Sequence, residues 1–152
     1  MINIKLDLGD APSVLAAFAN QSSVQKVVNA AAESYVDDIH DFIDAGHAFT
    51  PRTGQLQQAT NWRPTGNGTA EIYANTDYAG YVEQGTKAHK IAPKPGGKGL
   101  KIGVAGGGGY IIRRAVNHPG SKPHPFFFSD QPDRLEHMQA KALSVLAQAM
   151  DR

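Results

Sequence analysis

The sequence predicts an α+β fold, a central and mostly antiparallel sheet flanked by a long helix in the N-terminal half and a second helix at the C-terminus. Two observations predict it. Apolar residues recur every three or four positions over two stretches, Val24 to Ile43 and Leu135 to Ala149, which is helical periodicity. Between them lie short strand-like runs separated by glycine and proline, and strands in succession with helices on either side are the α+β order. The 152 residues suffice for one core, so a single domain over 1–152 is expected.

Ile2, Ile4, Leu6 and Leu8 alternate with Asn3, Lys5 and Asp7, the period of a strand with one buried face. Asp10 with Pro12 predicts a short turn reaching Phe18. Ser22 and Gln25 form a capping-box pattern that opens the long helix. Its apolar stripe is Val24, Val27, Val28, Ala31, Tyr35, Ile39, Phe42 and Ile43, and Gly46 supplies the stop. After a turn at Thr50 to Gly54, Leu56 to Arg63 reads as either a short helix or a strand, with a helical turn leading into a strand the preferred reading. Pro64 to Thr69 reads as a hairpin connection, Ala70 to Asn75 as the returning strand, and Tyr78 to Val82 as one helical turn. Lys90 to Pro93, Leu100 to Val104 and Tyr110 to Ala115 are further strands, giving a sheet of roughly four to six. Glycine-rich loops near 94–99 and 105–109 are expected to be flexible. From Pro132 onward, Leu135, Met138, Ala142, Val145, Leu146 and Ala149 share one face of the last helix.

With 41% hydrophobic and 19% charged residues, the chain has globular rather than disordered composition. Absence of cysteine excludes disulfides, thiolate zinc sites and cysteine nucleophiles. No apolar run approaches the ~18 residues of a membrane span, so no membrane association is expected. Met1 to Leu8 lacks the basic and apolar regions of a signal peptide. The net charge of +1 conceals a segregation along the chain. Glu33, Asp37, Asp38, Asp41 and Asp44 cluster without a basic neighbour and fall largely off the helical stripe. Gln84 to Ser129 carries Lys87, Lys90, Lys94, Lys98, Lys101, Arg113, Arg114 and Lys122 and no acid.

Histidines 89, 118 and 124 lie in that basic segment and raise the question of a metal, yet they have neither His-Glu-x-x-His spacing nor an acidic partner. Gly106 to Gly109 lacks the Gly-Lys-Ser/Thr ending of a phosphate loop, as does Gly96 to Gly99. No nucleophile elbow and no spaced pair of carboxylates is present. No enzyme activity, catalytic residue, cofactor or metal is therefore expected. The cations, with Tyr110 and Phe126 to Phe128 nearby, also suit a nucleic-acid backbone, but no nucleic-acid motif accompanies them. An acidic protein surface accounts for the same charges. That pairing makes Asp37, Asp38, Asp41 and Asp44, with Lys87, Lys90, Lys101, Arg113 and Arg114, the candidates for an electrostatic interface.

Three motifs carry a family resemblance. Thr50-Pro51-Arg52-Thr53-Gly54-Gln55-Leu56 follows the long helix, Tyr78-Ala79-Gly80-Tyr81-Val82-Glu83-Gln84-Gly85-Thr86 occupies the middle, and His118 to Phe127 includes Pro119-Gly120 and Pro123-His124-Pro125-Phe126. In this order they resemble the tail-completion and head-to-tail joining proteins of long-tailed phages. The resemblance runs from about Ser22 to the C-terminus. It implies a structural virion subunit of the neck or upper tail, made in the bacterial cytoplasm, that forms a homo-oligomeric ring, often six-fold. It further implies a connector or neck protein and a tail tube protein as neighbours, with DNA passing through the ring without specific binding. A tail terminator and a head-completion stopper or adaptor both fit. The motif positions carried over as interface candidates are Thr53, Gly54, Leu56, Tyr78, Tyr81, Val82, Glu83, Gly85, Thr86, Pro119, Gly120, Pro123, Pro125 and Phe126.

Overall fold

A computed structural model describes residues 1–7, 21–103 and 108–150. The short turn expected from Asp10 to Phe18, the end of the first strand at Leu8 and most of the glycine loop at 105–109 lie outside the described residues. The elements run β1 (Ile2–Asp7), α1 (Gln21–Asp44), α2 (Gln55–Ala59), β2 (Thr60–Gly66), β3 (Thr69–Ala74), α3 (Ala79–Gln84), β4 (His89–Ile91), β5 (Leu100–Gly103), β6 (Tyr110–Arg113), β7 (Val116–His118) and α4 (Gln131–Met150). The α+β class holds. Contacts sort the chain into two compact units, residues 1–83 with 124–152, and residues 84–123.

The first unit contains a three-stranded antiparallel sheet in the order β1-β3-β2. β3 is central because its alternation puts Ala70, Ile72 and Ala74 on a fully buried face, with Ile2, Ile4 and Trp62 packing beside them from the edges. Pro64 is tolerated because β2 is an edge strand. The β2–β3 hairpin closes on Asn67 and Gly68, whose φ of 52° and 71° are those of a type I′ turn. Gln25 is tied to this turn: its side-chain oxygen accepts from Gly68 N at 3.1 Å and its amide donates to Thr69 O at 3.2 Å. The capping box expected of Ser22 and Gln25 is therefore not how the helix begins, since α1 already starts at Gln21 and the glutamine amide is engaged by the sheet.

α1 is buried on more than its predicted stripe. Ala32 and Val36 join Val28, Tyr35, Ile39 and Ile43 in the core, because the helix packs against the sheet on one side and α4 on the other. It ends as Gly46 predicts, in a Schellman motif: at φ 73° Gly46 donates to Ile43 O, and His47 donates to Phe42 O while their rings lie 5.2 Å apart. α4 differs from expectation at the two ends of its predicted face. Leu135 is 44% exposed and Ala149 is exposed, whereas Arg134 is buried beside Met138 and Ala142 packs on the core. Met138, Ala142, Val145 and Leu146 keep the covered side expected of them, and the first turn departs from it because its buried residue is an arginine.

The second unit holds two separate two-stranded antiparallel ribbons, β4-β7 and β5-β6. These strands were expected to extend one central sheet, and β7 was not expected as a strand of its own. No described residue from Gln84 to Pro123 is buried. What closes the unit at its chain ends is backbone against backbone: Thr86 and Ser121 exchange N–H to carbonyl hydrogen bonds at 3.0 and 3.1 Å. Glycine is required at both flanks. A Cβ on Gly85 would stand 2.5 Å from Ser121 O, one on Gly120 would stand 2.3 Å from Thr86 O, and both glycines have positive φ.

Candidate functional site

Within the first unit the motifs meet around a buried polar network. Glu83, at the end of α3, is 7% exposed and its carboxylate accepts three backbone N–H groups, from Phe126 and Phe127 at 2.9 Å each and from Phe128 at 3.1 Å. Three donors turned toward one point need an acceptor with spare lone pairs, and an ionised carboxylate provides them. The carbonyls of the same segment face Arg134, whose Nη1 donates to Phe126 O at 2.9 Å and Phe127 O at 3.0 Å. Tyr35 donates its hydroxyl to Phe127 O at 3.0 Å, and burial pushes its pKa up, with the Arg134 charge opposing the rise. A bent segment outside any strand is thus satisfied on both sides by side chains. That arrangement lets Phe126 and Phe127 sit fully buried, edge-to-face at 6.0 Å.

Beside this network is a pocket of about 290 Å³ to which all three motifs contribute. Thr50 to Gln57 form one wall, Tyr78 and Val82 another, and His124 the third, with Ile43 and Phe49 at the floor. Gly54, at φ 66°, starts α2 and accepts from Gln58 N, which turns the first motif across the pocket. Leu56 points from it into the core. His124 fixes the third wall through its backbone N–H to Val82 O at 2.8 Å and through Nδ1, 3.0 Å from Ala48 O. Tyr81 does not line the pocket and is 64% exposed.

The motif residues therefore divide by role. Leu56, Glu83 and Phe126 are core or network members, Gly85, Thr86 and Gly120 close the second unit, and Thr53, Gly54, Tyr78 and Val82 line the pocket. Pro119, Pro123 and Pro125 are exposed. Arg134 and Tyr35 were missed as partners of the third motif. An arginine three residues into a helix after three phenylalanines was the available signal, but nothing local says that it turns inward.

Charge separates with the two units. The first has seven Lys and Arg against fourteen Asp and Glu, net −7, and the second has eight basic residues and no acid, net +8. On α1, Asp37, Asp41 and Asp44 are exposed while Asp38 is half-buried against His137 at 3.2 Å. Asp44 accepts from Gln57 Nε2 at 2.9 Å, which places this carboxylate next to the pocket wall. In the second unit Lys87, Lys90, Lys101, Arg113 and Arg114 are all exposed. His89 and His118 are cross-strand partners with rings stacked at 5.1 Å, and each ring is engaged locally, His89 with Lys87 O and His118 with Gly120 N. Among the described residues no three side chains gather to hold a metal ion, and no helix is long and apolar enough to cross a membrane.

Residues 13–85 match the family model described as "Bacteriophage HK97-gp10, putative tail-component". The match takes in α1 to α3 and covers the first motif and the second as far as Gly85. That description is consistent with the tailed-phage proteins that the three motifs resemble, and the family is one of structural tail components. No curated protein and no solved structure matches the chain.

Proposed function

We propose that this phage tail component is a tail-completion, tail-terminator or head-to-tail joining subunit that works as a homo-oligomeric ring, six-fold, at the neck. The observation that carries the reading is the second unit itself: forty residues, Gln84 to Pro123, that are wholly basic and without one buried residue among those described, in a chain whose remainder is acidic. Such a segment is unfavourable alone and gains burial and charge neutralisation from a complementary surface. The exposed carboxylates of Asp37, Asp41 and Asp44 are such a surface, and every copy carries both halves. Identical head-to-tail contacts close into a ring when the rotation allows it. A connector or neck protein above and a tail tube protein below are the neighbours this position implies, with DNA in the lumen unread by sequence.

The test is the mass of the purified particle in low and high salt, followed by imaging. A closed ring in low salt that weakens with salt, and that Asp41→Lys with Asp44→Lys abolishes, is the expected result. A monomer at every concentration overturns the ring. A monomer that shifts DNA with a steep salt dependence replaces it with nucleic-acid binding through the same eight cations.

A further inference from the structure

The β5-β6 ribbon presents an apolar face that its own unit leaves in solvent. Antiparallel register sets Lys101 opposite Ile112 and Gly103 opposite Tyr110, so these four share one side. Tyr110 is 54% exposed and Ile112 64%. Their presentation is fixed. Lys101 Nζ lies 3.9 Å over the Tyr110 ring, Gly103 offers no side chain to cover that ring, and Ile112 rests against Gly99, where an added Cβ would meet Ile112 Cγ2 at 2.5 Å. The result is a cation held between two projecting apolar groups, with Arg113 and Arg114 following.

The pocket formed by the three motifs has the opposite character. At about 290 Å³ it lies at the small end of ligand-sized cavities, room for one or two side chains rather than a cofactor. Its walls are largely apolar, through Phe49, Pro51, Leu56, Tyr78 and Val82. Gln57 links its rim to the Asp44 carboxylate, and Arg52 is the charged residue of the lining itself. An apolar cavity with the Asp44 carboxylate beside it and an apolar knob that carries the Lys101 cation are complementary, and both lie on this one chain.

We infer that the motif pocket of one copy receives Tyr110 and Ile112 of a second copy, while Lys101, on the same side of the ribbon, meets Asp44 beside the rim. This rests on the ring reading and specifies its contact. The geometry is heterologous, knob to pocket, so each copy both gives and receives and no free knob is left in a closed ring. Desolvated apolar insertion supplies the affinity, and the charges set orientation and rate of encounter.

The chain's lack of cysteine permits a clean test. Thr53→Cys places a thiol on the exposed pocket wall, and Gly103→Cys places one in open space opposite Tyr110. Mixed as separate single-cysteine proteins and oxidised, they should cross-link to twice the 16.2 kDa chain mass, far above either protein alone. Tyr110→Ser with Ile112→Ser in the Gly103→Cys chain should reduce that product at least tenfold. A ring with no such cross-link overturns the knob-and-pocket contact and leaves the ring standing. Absence of any assembled particle overturns both. A chain carrying both cysteines that cross-links only within itself shows the pocket filled by its own ribbon, which also overturns the inference.

Discussion

Residues 1–83 with 124–150 and residues 84–123 solve the problem of holding a chain together in different ways. The first unit excludes water: Val28, Ile39, Ile43, Ile72, Phe126 and Phe127 have no more than 1% of their surface exposed, and even Glu83 and Arg134 are buried, each bonded to the backbone of the Phe126 to Phe128 segment. The second unit excludes nothing. It relies on two glycines that let backbones touch, on short ribbons, and on the cation over Tyr110. An all-basic segment with exposed Tyr110, Ile111 and Ile112 is only half of a structure. The comparison teaches that the same apolar letters build a core in the first unit and stay in solvent in the second, where the proposed ring would give them a contact to make.

The sharpest way to break that division is at Glu83. Glu83→Ala leaves three N–H groups of Phe126 to Phe128 without their acceptor in a dry site, which should cost about 3–5 kcal/mol. Glu83→Gln, which keeps one acceptor oxygen, should cost less. Denaturant unfolding measures both. A loss of under about 1 kcal/mol for Glu83→Ala would mean that the network is not structural. In the second unit Tyr110→Ser with Ile112→Ser should leave the midpoint within about 0.5 kcal/mol while removing assembly.

Glycine substitution tests the other mode of closure. Gly85→Ala or Gly120→Ala sets a methyl against a carbonyl oxygen at positive φ, for a cost of about 1–3 kcal/mol. Because no described residue of 84–123 is buried, this cost should appear as faster proteolysis within that segment before the global transition moves. Cleavage confined to the first unit would contradict it. Smaller in effect on the fold is charge reversal on α1. Asp41→Lys should change unfolding by no more than about 0.5 kcal/mol, since the carboxylate is exposed and has no ion-pair partner among the described residues, yet it should slow association measurably.

How much of this was legible follows from range. The long helix, its glycine stop, the hairpin at Asn67 and Gly68 and the closing helix are local patterns, and periodicity or turn chemistry states them directly. The halting of the sheet at three strands was not legible, because a β-patterned run reads the same in a ribbon as in a sheet. Ser22 and Gln25 misled because a capping-box pattern cannot know that a hairpin turn, reached across 43 positions, offers Gln25 a better pair of partners. At the site, the three motifs come together around one pocket, but Thr53, Glu83 and Phe126 look alike as motif members. Only the fold shows that one lines a pocket, one satisfies backbone and one fills the core. Leu135 and Arg134 exchanged their expected places for the same reason, since Arg134 is drawn inward by carbonyls of Phe126 and Phe127 that only tertiary structure brings there.

A pH-dependent test at Tyr35 separates burial from hydrogen bonding inside the first unit. Burial raises its pKa above the usual 10, the nearby Arg134 charge only partly opposing this, so the folded state holds the phenol proton more tightly than the unfolded chain does. The corresponding stability is present in full below about pH 10 and is lost as pH rises from there through the folded value. Tyr35→Phe removes the hydroxyl bond to Phe127 O but leaves that carbonyl with Arg134, so near neutral pH the cost should be about 1 kcal/mol. The variant should then lose less stability than the parent between about pH 9 and 11, where lysines and the other tyrosines titrate in both proteins and cancel. Unfolding curves for the two across that range decide the matter. Parallel pH dependence would mean that solvent reaches the phenol and that the segment from Phe126 to Phe128 is held by Glu83 and Arg134 alone.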